Sequence, residues 1–277
     1  MFVFKEWDRF CSEIKNKNIN CLRAFDALEA AKTNSRYLII KHDVETNVNK
    51  ALKIAQIENK YNIKTTYYVQ SYLIENKSNV KLLKKICDLG HEVTYHYDVL
   101  DSNKGNYDLA IIEFEKTILK FNKLFQPVKT ICPHGNPVMK RNGWSSNKDF
   151  FRNKKIKNKF SDITDIVINP EKFINKELAY ISDAGFDWKL ITSISENDRD
   201  VSVNKSLNNL KNVLTLIDDK TKSIILSSHP HRWVQNKNIA KLKRYIFFAL
   251  RSSTLALIKI PLLNFFFSKF YYLAKKI

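Results

Sequence analysis

From Tyr37 to Ser228 the chain alternates short apolar runs rich in β-formers with longer segments whose apolar residues recur at helical spacing. The run YLIIKHD (37–43) turns polar only at its end, as a strand covered on both faces does. Residues 46–61 follow, with Thr46 as a cap and Ala51, Leu52, Ile54, Ala55 and Ile57 on the apolar side of a helix. TTYYVQ (65–70) then precedes a helix over 79–89, and Gly90 stands just past its end, where a left-handed backbone is expected. HEVTYH (91–96) precedes a helix over 107–124, and VKTIC (128–132) is a fourth strand. DIVIN (165–169), LAYIS (178–182), KLITSI (189–194) and SIILSS (223–228) read as further strands, and 205–218 and the segment from Asn238 as helices. Residues 141–160 read as polar and irregular. Such alternation predicts a mainly parallel sheet wrapped by helices, and about seven strands suit a small or irregular barrel.

Composition removes several classes of function. Gly occurs only 5 times, and neither GxGxxG nor GxxxxGK[ST] occurs, which argues against a glycine-rich phosphate loop. Cys11, Cys21, Cys87 and Cys132 form no CxxC pair, so a zinc ribbon or redox dithiol is not expected. They read as small buried hydrophobes in a reducing compartment. The opening MFVFKEWDRF has no signal-type apolar region, and the expected location is cytoplasmic.

The net charge is +19, from 47 Lys+Arg against 28 Asp+Glu. The lysines are scattered and no nucleic-acid-binding motif accompanies them, so no nucleic-acid partner is expected. Even the densest basic run, Arg152 to Lys159, reads as solvated. Residues 241–277 differ, with eight basic residues and no acid among IFFAL, LALIKIPLLNFFF and FYYLA. On a helix, Arg244, Arg251, Lys259, Lys269 and Lys276 fall within one arc of about 100°, with Pro261 as a kink. A basic face opposite an aromatic and aliphatic face predicts attachment to an anionic membrane surface, on the inner face of the plasma membrane.

Six histidines stand at ends of predicted strands. Five of them, His42, His96, His134, His229 and His231, lie at C-terminal ends, where α/β barrels carry their chemistry. Asp43 and Glu45 are two apart and share a face, so His42 points the other way. His91 and His96 are five apart and face opposite sides, which makes His96 the ligand candidate and His91 structural. Carboxylate and imidazole ligands without a thiolate suit Zn²⁺, Co²⁺, Mn²⁺ or Ni²⁺. A remaining carboxylate can then take the proton from bound water.

The ordered segments KHDVE, GHEVTYHYD, CPHGNP, SDAGFDW and LSSHPHRW resemble the polysaccharide deacetylases of carbohydrate esterase family four, in their HDVD-type branch. The resemblance implies a distorted (β/α)7 barrel that uses a divalent metal to hydrolyse N-acetyl groups on sugars. It implies Asp43 as catalytic base, Glu45 in place of a metal-binding Asp, His96 as a metal ligand and His229 as general acid. It also implies that Asp183 and Trp188 buttress and line the site. The chain departs from the family pattern at Leu100, where a second metal His is expected, at Glu45, and at His134, which stands for an Arg. The third ligand is then His134 or Asp98, and His134 is preferred because it restores an imidazole. Trp233, Trp188 and Trp144 are expected at the rim, able to stack on sugar rings.

The expected architecture is therefore α/β, a distorted (β/α)7 barrel with a C-terminal amphipathic helical tail. Residues 1–35 form an N-terminal helical segment, 36–235 the deacetylase-like barrel and 236–277 the basic tail. The expected function is metal-dependent removal of an N-acetyl group from an amino sugar of a cell-surface glycan or its precursor, with Zn²⁺ as the first choice of metal. The alternative is a non-catalytic glycan-binding protein on a deacetylase scaffold that has lost its metal.

Overall fold

Leu38–Val44 is buried at every position, so this strand has no solvent face along which polar residues could alternate. The structure, a computed structural model, describes residues 1–31, 37–136, 139–173, 178–191, 203–218 and 223–257. In chain order the elements begin with α1 (Phe4–Asn16), β1 (Cys21–Leu22), α2 (Ala24–Ala30), β2 (Leu38–Val44), α3 (Val48–Lys60), β3 (Thr66–Val69) and α4 (Lys77–Asp88). There follow β4 (Glu92–Tyr97), α5 (Val99–Ser102), α6 (Tyr107–Leu124), β5 (Thr130–Pro133), α7 (Lys148–Arg152), α8 (Lys154–Lys159) and β6 (Thr164–Asp165). The chain continues through β7 (Leu178–Ser182), β8 (Lys189–Ile191), β9 (Val203–Ser206), α9 (Leu210–Asp218), β10 (Ser223–Ser228) and α10 (Lys237–Leu257).

The strands form one sheet in the order β6-β5-β4-β3-β2-β10-β7-β8-β9, with β1 paired to β2. From β6 through β7 every pairing is parallel, and β8 and β9 add an antiparallel edge. The sheet curls. Ile166 beside β6 and Tyr180 of β7 belong to one buried cluster with Ile39, Tyr68 and Ile225, although their strands stand at opposite ends of the parallel part. Among the described residues no ladder joins β6 to β7. The outer face carries the larger cluster, in which α1, α3, α4 and α6 lie against Leu38, Ile40, Val44, Val93, Tyr95 and Tyr97. Because the strands are parallel, their C-terminal ends share one rim, and the residues that follow β2, β4, β5, β7 and β10 meet there.

Several local expectations are corrected. The cap of α3 is Asn47, whose side chain accepts from Lys50 N–H, rather than Thr46. The strand expected over 165–169 stops at Asp165, because its carboxylate accepts from the N–H groups of Val167 and Ile168 and curls the chain off the ladder. The helix expected over 205–218 begins at Leu210; Ser206 ends a strand, and Asn208 takes a left-handed φ of 58° before Asn209 caps the helix. Residues 141–160 are not wholly irregular. They contain α7 and α8, which bury Phe150, Phe151 and Ile156, and Asn153 caps the second helix. Of the strand expected over 189–194, residues 192–194 lie outside the described residues.

The N-terminal segment is helical at α1 and α2, and α1 buries Phe4, Trp7, Phe10, Cys11 and Ile14 along one face. All four cysteines are free. Helix α10 buries Ala240, and its Phe247 ring lies 4.8 Å from Phe186, while Leu242 and Tyr245 are 57% and 74% exposed. Among the described residues no helix is long and apolar enough to cross a membrane. Residues 258–277, with Lys259, Pro261, Lys269 and Lys276, lie outside the described residues.

Candidate active site

The register of β2 sets the centre of the site. Lys41, Asp43 and, one step past the strand, Glu45 alternate with His42 and Val44, so they point to the inner face of the curled sheet. His42 points outward, where its Nε2 lies 2.7 Å from Glu58 Oε1, and His91 joins the same outer network through Thr65. His91 is therefore structural, as expected, and so is His42, which faces away from Asp43 and Glu45.

His96 is the inward residue at the end of β4, buried and paired in register with Cys132. Its Nδ1 lies 3.0 Å from the Cys132 carbonyl oxygen, so Nδ1–H donates there and the Nε2 lone pair is left for the site. Burial pushes its pKa down to about 3, so the ring is neutral at physiological pH. His134 follows β5, with its N–H donating to Tyr97 O at 2.7 Å and its carbonyl accepting from Asn147 Nδ2 at 2.9 Å. Asn147 and Arg141 both bind the Asp101 carboxylate, so that loop is held against α5.

Glu45, His96 and His134 offer ligand atoms that all lie within 4.8 Å of one another, and Glu45 Oε1 is 3.4 Å from His134 Nε2. Two ligands about 2.0–2.1 Å from a tetrahedral ion stand roughly 3.3 Å apart. One carboxylate and two imidazoles, all three buried, fit a divalent metal. Asp98 is not a member of this group. Leu100, the position expected to carry an imidazole, is wholly buried in the apolar cluster of α5.

Asp43 and His229 complete the rim. β10 pairs beside β2 with Ser228 opposite His42, which brings His229 next to Asp43. His229 Nε2 lies 3.9 Å from Asp43 Oδ2 and 3.8 Å from Glu45 Oε1. Its Nδ1–H donates to Asp183 Oδ1 at 2.5 Å, and Arg232 Nη1 binds the same oxygen at 2.7 Å. Burial would raise the Asp183 carboxyl, but Arg232 and His229 outweigh it and hold the group well below the usual carboxylate range. Burial would likewise raise Asp43, yet Lys41, with His96 and His229, holds it down to about 2. At neutral pH both carboxylates are ionised.

The two tryptophans expected to bind substrate lie elsewhere. Trp188 and Trp233 are 1% and 0% exposed, packed with Phe2 at ring separations of 5.7 and 5.4 Å, and Trp233 also stacks edge-on with Trp7. Val3 bridges Val234, which lays the first residues of the chain over these rings. Neither presents a face to a sugar. Asp183 is also fully buried, and its partners are His229, Ser228 and Arg232. It orients the His229 imidazole. Trp144 is half-buried and donates to Asp101 at 2.9 Å.

Sequence reasoning passed over Lys41 and Arg232. Lys41 could have been found by parity, since it shares a face with Asp43 two residues on. Arg232 gives no such signal, because its partner is 49 residues away.

Solved structures to which the chain is similar include members of carbohydrate esterase family four, the family its motifs resemble. Among them is a family-four esterase from Streptococcus mutans, at 12% identity and TM-score 0.44, matched over 84% of this chain and 89% of that one. A second is a family-four pseudoenzyme from Bacillus anthracis, at 14% identity and TM-score 0.40, matched over 79% of this chain and 62% of that one. The chain thus spans less than two thirds of that relative's length. A third is the catalytic domain of a peptidoglycan N-acetylglucosamine deacetylase from Eubacterium rectale, at 14% identity and TM-score 0.39, covering 79% and 89%. At these identities and TM-scores the likenesses do not assign a function, which has to be read from the side chains. No family model and no curated protein matches the chain.

Proposed function

We propose that this protein is a metal-dependent hydrolase that removes an N-acetyl group from an amino sugar of a cell-surface glycan or its precursor. The observation that carries the reading is the convergence of Glu45, His96 and His134 on one point, with Asp43 and His229 beside it. A divalent ion there, Zn²⁺ by its preference for two imidazoles and a carboxylate, supplies a Lewis acid and an acidified water. Asp43, ionised and held by Lys41, takes the proton from the attacking water. His229, with Nδ1–H fixed on Asp183, would act as the imidazolium and give its Nε2 proton to the leaving amine. His96, held neutral by burial, and His134 act as ligands and carry no proton in the reaction.

The test is elemental analysis of the purified protein together with acetate release from a panel of N-acetylated sugars. His96→Ala should lose both metal and activity, and Asp43→Asn should keep metal and lose turnover. A wild-type protein that binds sugars but holds no metal and releases no acetate establishes the alternative, a glycan-binding protein on a deacetylase scaffold.

The second part of the proposal concerns place. Helix α10 exposes Lys241, Arg244, Leu242 and Tyr245, and the remaining basic residues of 241–277 continue the pattern in sequence. We propose that this segment attaches the protein to an anionic membrane surface on the cytoplasmic side, near lipid-linked glycan intermediates.

A further inference from the structure

His96 belongs to two potential metal-binding groups. One is Glu45, His96 and His134; the other, one layer deeper, is Asp43, His96 and Cys132, whose ligand atoms also lie within 4.8 Å of one another. The second group already has a cation. Lys41 Nζ donates to both Asp43 oxygens at 2.6 Å and to Cys132 Sγ at 3.3 Å, with the Tyr68 ring 5.5 Å away. These contacts use all three ammonium protons, and the side chain is wholly buried. A metal bound by Asp43 and Cys132 would sit at about 2.0–2.3 Å from the same oxygen and sulfur atoms that hold the ammonium. A second cation on those atoms would meet the buried ammonium at close range and be repelled by it.

We propose that Lys41 is a positioning residue whose ammonium acts as the permanent cation of the inner group, excluding metal from Asp43 and Cys132 and directing it to Glu45, His96 and His134. The consequence is a division of labour between two carboxylates on one strand. Asp43, bound to a cation that never dissociates, stays free of the metal and available to a water proton; Glu45 is the carboxylate left to coordinate. This inference rests on the metal-dependent reading above.

Cobalt substitution tests it, because a thiolate ligand announces itself by a near-ultraviolet sulfur-to-cobalt charge-transfer band. Wild-type protein titrated with Co²⁺ should take up one equivalent with no such band, and Cys132→Ser should bind Co²⁺ with unchanged affinity. In Lys41→Met the inner group opens. Cys132 gives its proton to solvent and ligates, the band appears, and it is absent from the Lys41→Met, Cys132→Ser double variant. Lys41→Gln, which keeps a polar side chain, is the second variant should the methionine protein fail to fold. A thiolate band in the wild type, a loss of Co²⁺ affinity in Cys132→Ser, or a folded, Co²⁺-loaded Lys41 variant without the band overturns the inference while leaving a metal site in place. A wild type that takes up no Co²⁺ overturns the metal-dependent reading and this inference together.

Discussion

Replacing Asp183 with Asn separates what that carboxylate does for the fold from what it does for His229. It accepts the His229 Nδ1–H at 2.5 Å, the His229 backbone N–H at 2.9 Å, the Ser228 hydroxyl at 3.1 Å and Arg232 Nη1 at 2.7 Å. An amide has the same outline but only one acceptor oxygen. Either way round, its NH₂ faces donors, the imidazole and guanidinium on one side or the His229 backbone N–H on the other. The Arg232 guanidinium, with its side chain 11% exposed, also loses its counter-ion. Removing one member of a buried pair costs about 3–5 kcal/mol, and the partial access of Arg232 to water places this case near 3 kcal/mol.

The imidazole loses its orientation as well, so turnover should fall by about 10²–10⁴, or roughly 3–5.5 kcal/mol of barrier. Urea unfolding, metal content and acetate release measure the three quantities separately. Metal content should hold, since the partners of Asp183 are His229, Ser228 and Arg232. Because the folded carboxyl sits below its ordinary value, its contribution is fully present above an unfolded pKa of about 3.9 and is lost as the pH falls further. The gap between wild type and variant should therefore narrow below about pH 4. A variant destabilised as described that still turns over at the wild-type rate, measured where it is folded, refutes the assignment of His229 as an acid oriented by Asp183.

Glu58→Gln should cost about 1–3 kcal/mol in urea unfolding, because one carboxylate accepts from Trp7, Thr65 and Tyr67 and faces His42; an unchanged midpoint would show that this network contributes nothing net. Phe2→Ala should cost about 3–5 kcal/mol and red-shift tryptophan emission, since Phe2 covers Trp188 and Trp233, and unshifted emission would mean that those rings are not buried by it. Neutralising Lys241 and Arg244 to Gln should weaken co-sedimentation with anionic vesicles by about 30-fold, at about 1 kcal/mol per basic residue, and equal binding by the two proteins would remove α10 from any membrane contact.

What could be read from the sequence was what depends on short-range periodicity. Strand parity set His42 apart from Asp43 and Glu45 and His91 apart from His96, and the alternation of segments pointed to a mainly parallel sheet. The side-chain turns that end elements were less visible. Asp165 folds its carboxylate onto Val167 and Ile168 and stops a strand that composition alone would continue, and Asn208 with Asn209 delays a helix by five residues. Trp188 and Trp233 were misplaced because what covers them is Phe2, brought across by the Val3–Val234 bridge, and no local pattern encodes a contact between the two ends of a domain.

The neighbourhood of β2 and β10 has a consequence for synthesis. The strand that carries Asp43 is flanked on one side by β3, about two dozen residues later, and on the other by β10, which holds Ser227 against Asp43 across 184 positions. Closing the longer loop costs roughly 2 kcal/mol more entropy than closing the shorter one, so β2–β3–β4 pairing is expected to come first. A nascent chain can thus assemble Glu45, His96 and His134 once β5 has emerged, while the buried edge of β2 stays open. Until β10 arrives, that edge is an unpaired apolar strand, a natural place for a chaperone to bind or for two unfinished chains to pair wrongly. His229, which follows the last strand to dock, is then absent from the site in every intermediate, and on the proposed mechanism turnover waits until the sheet is complete.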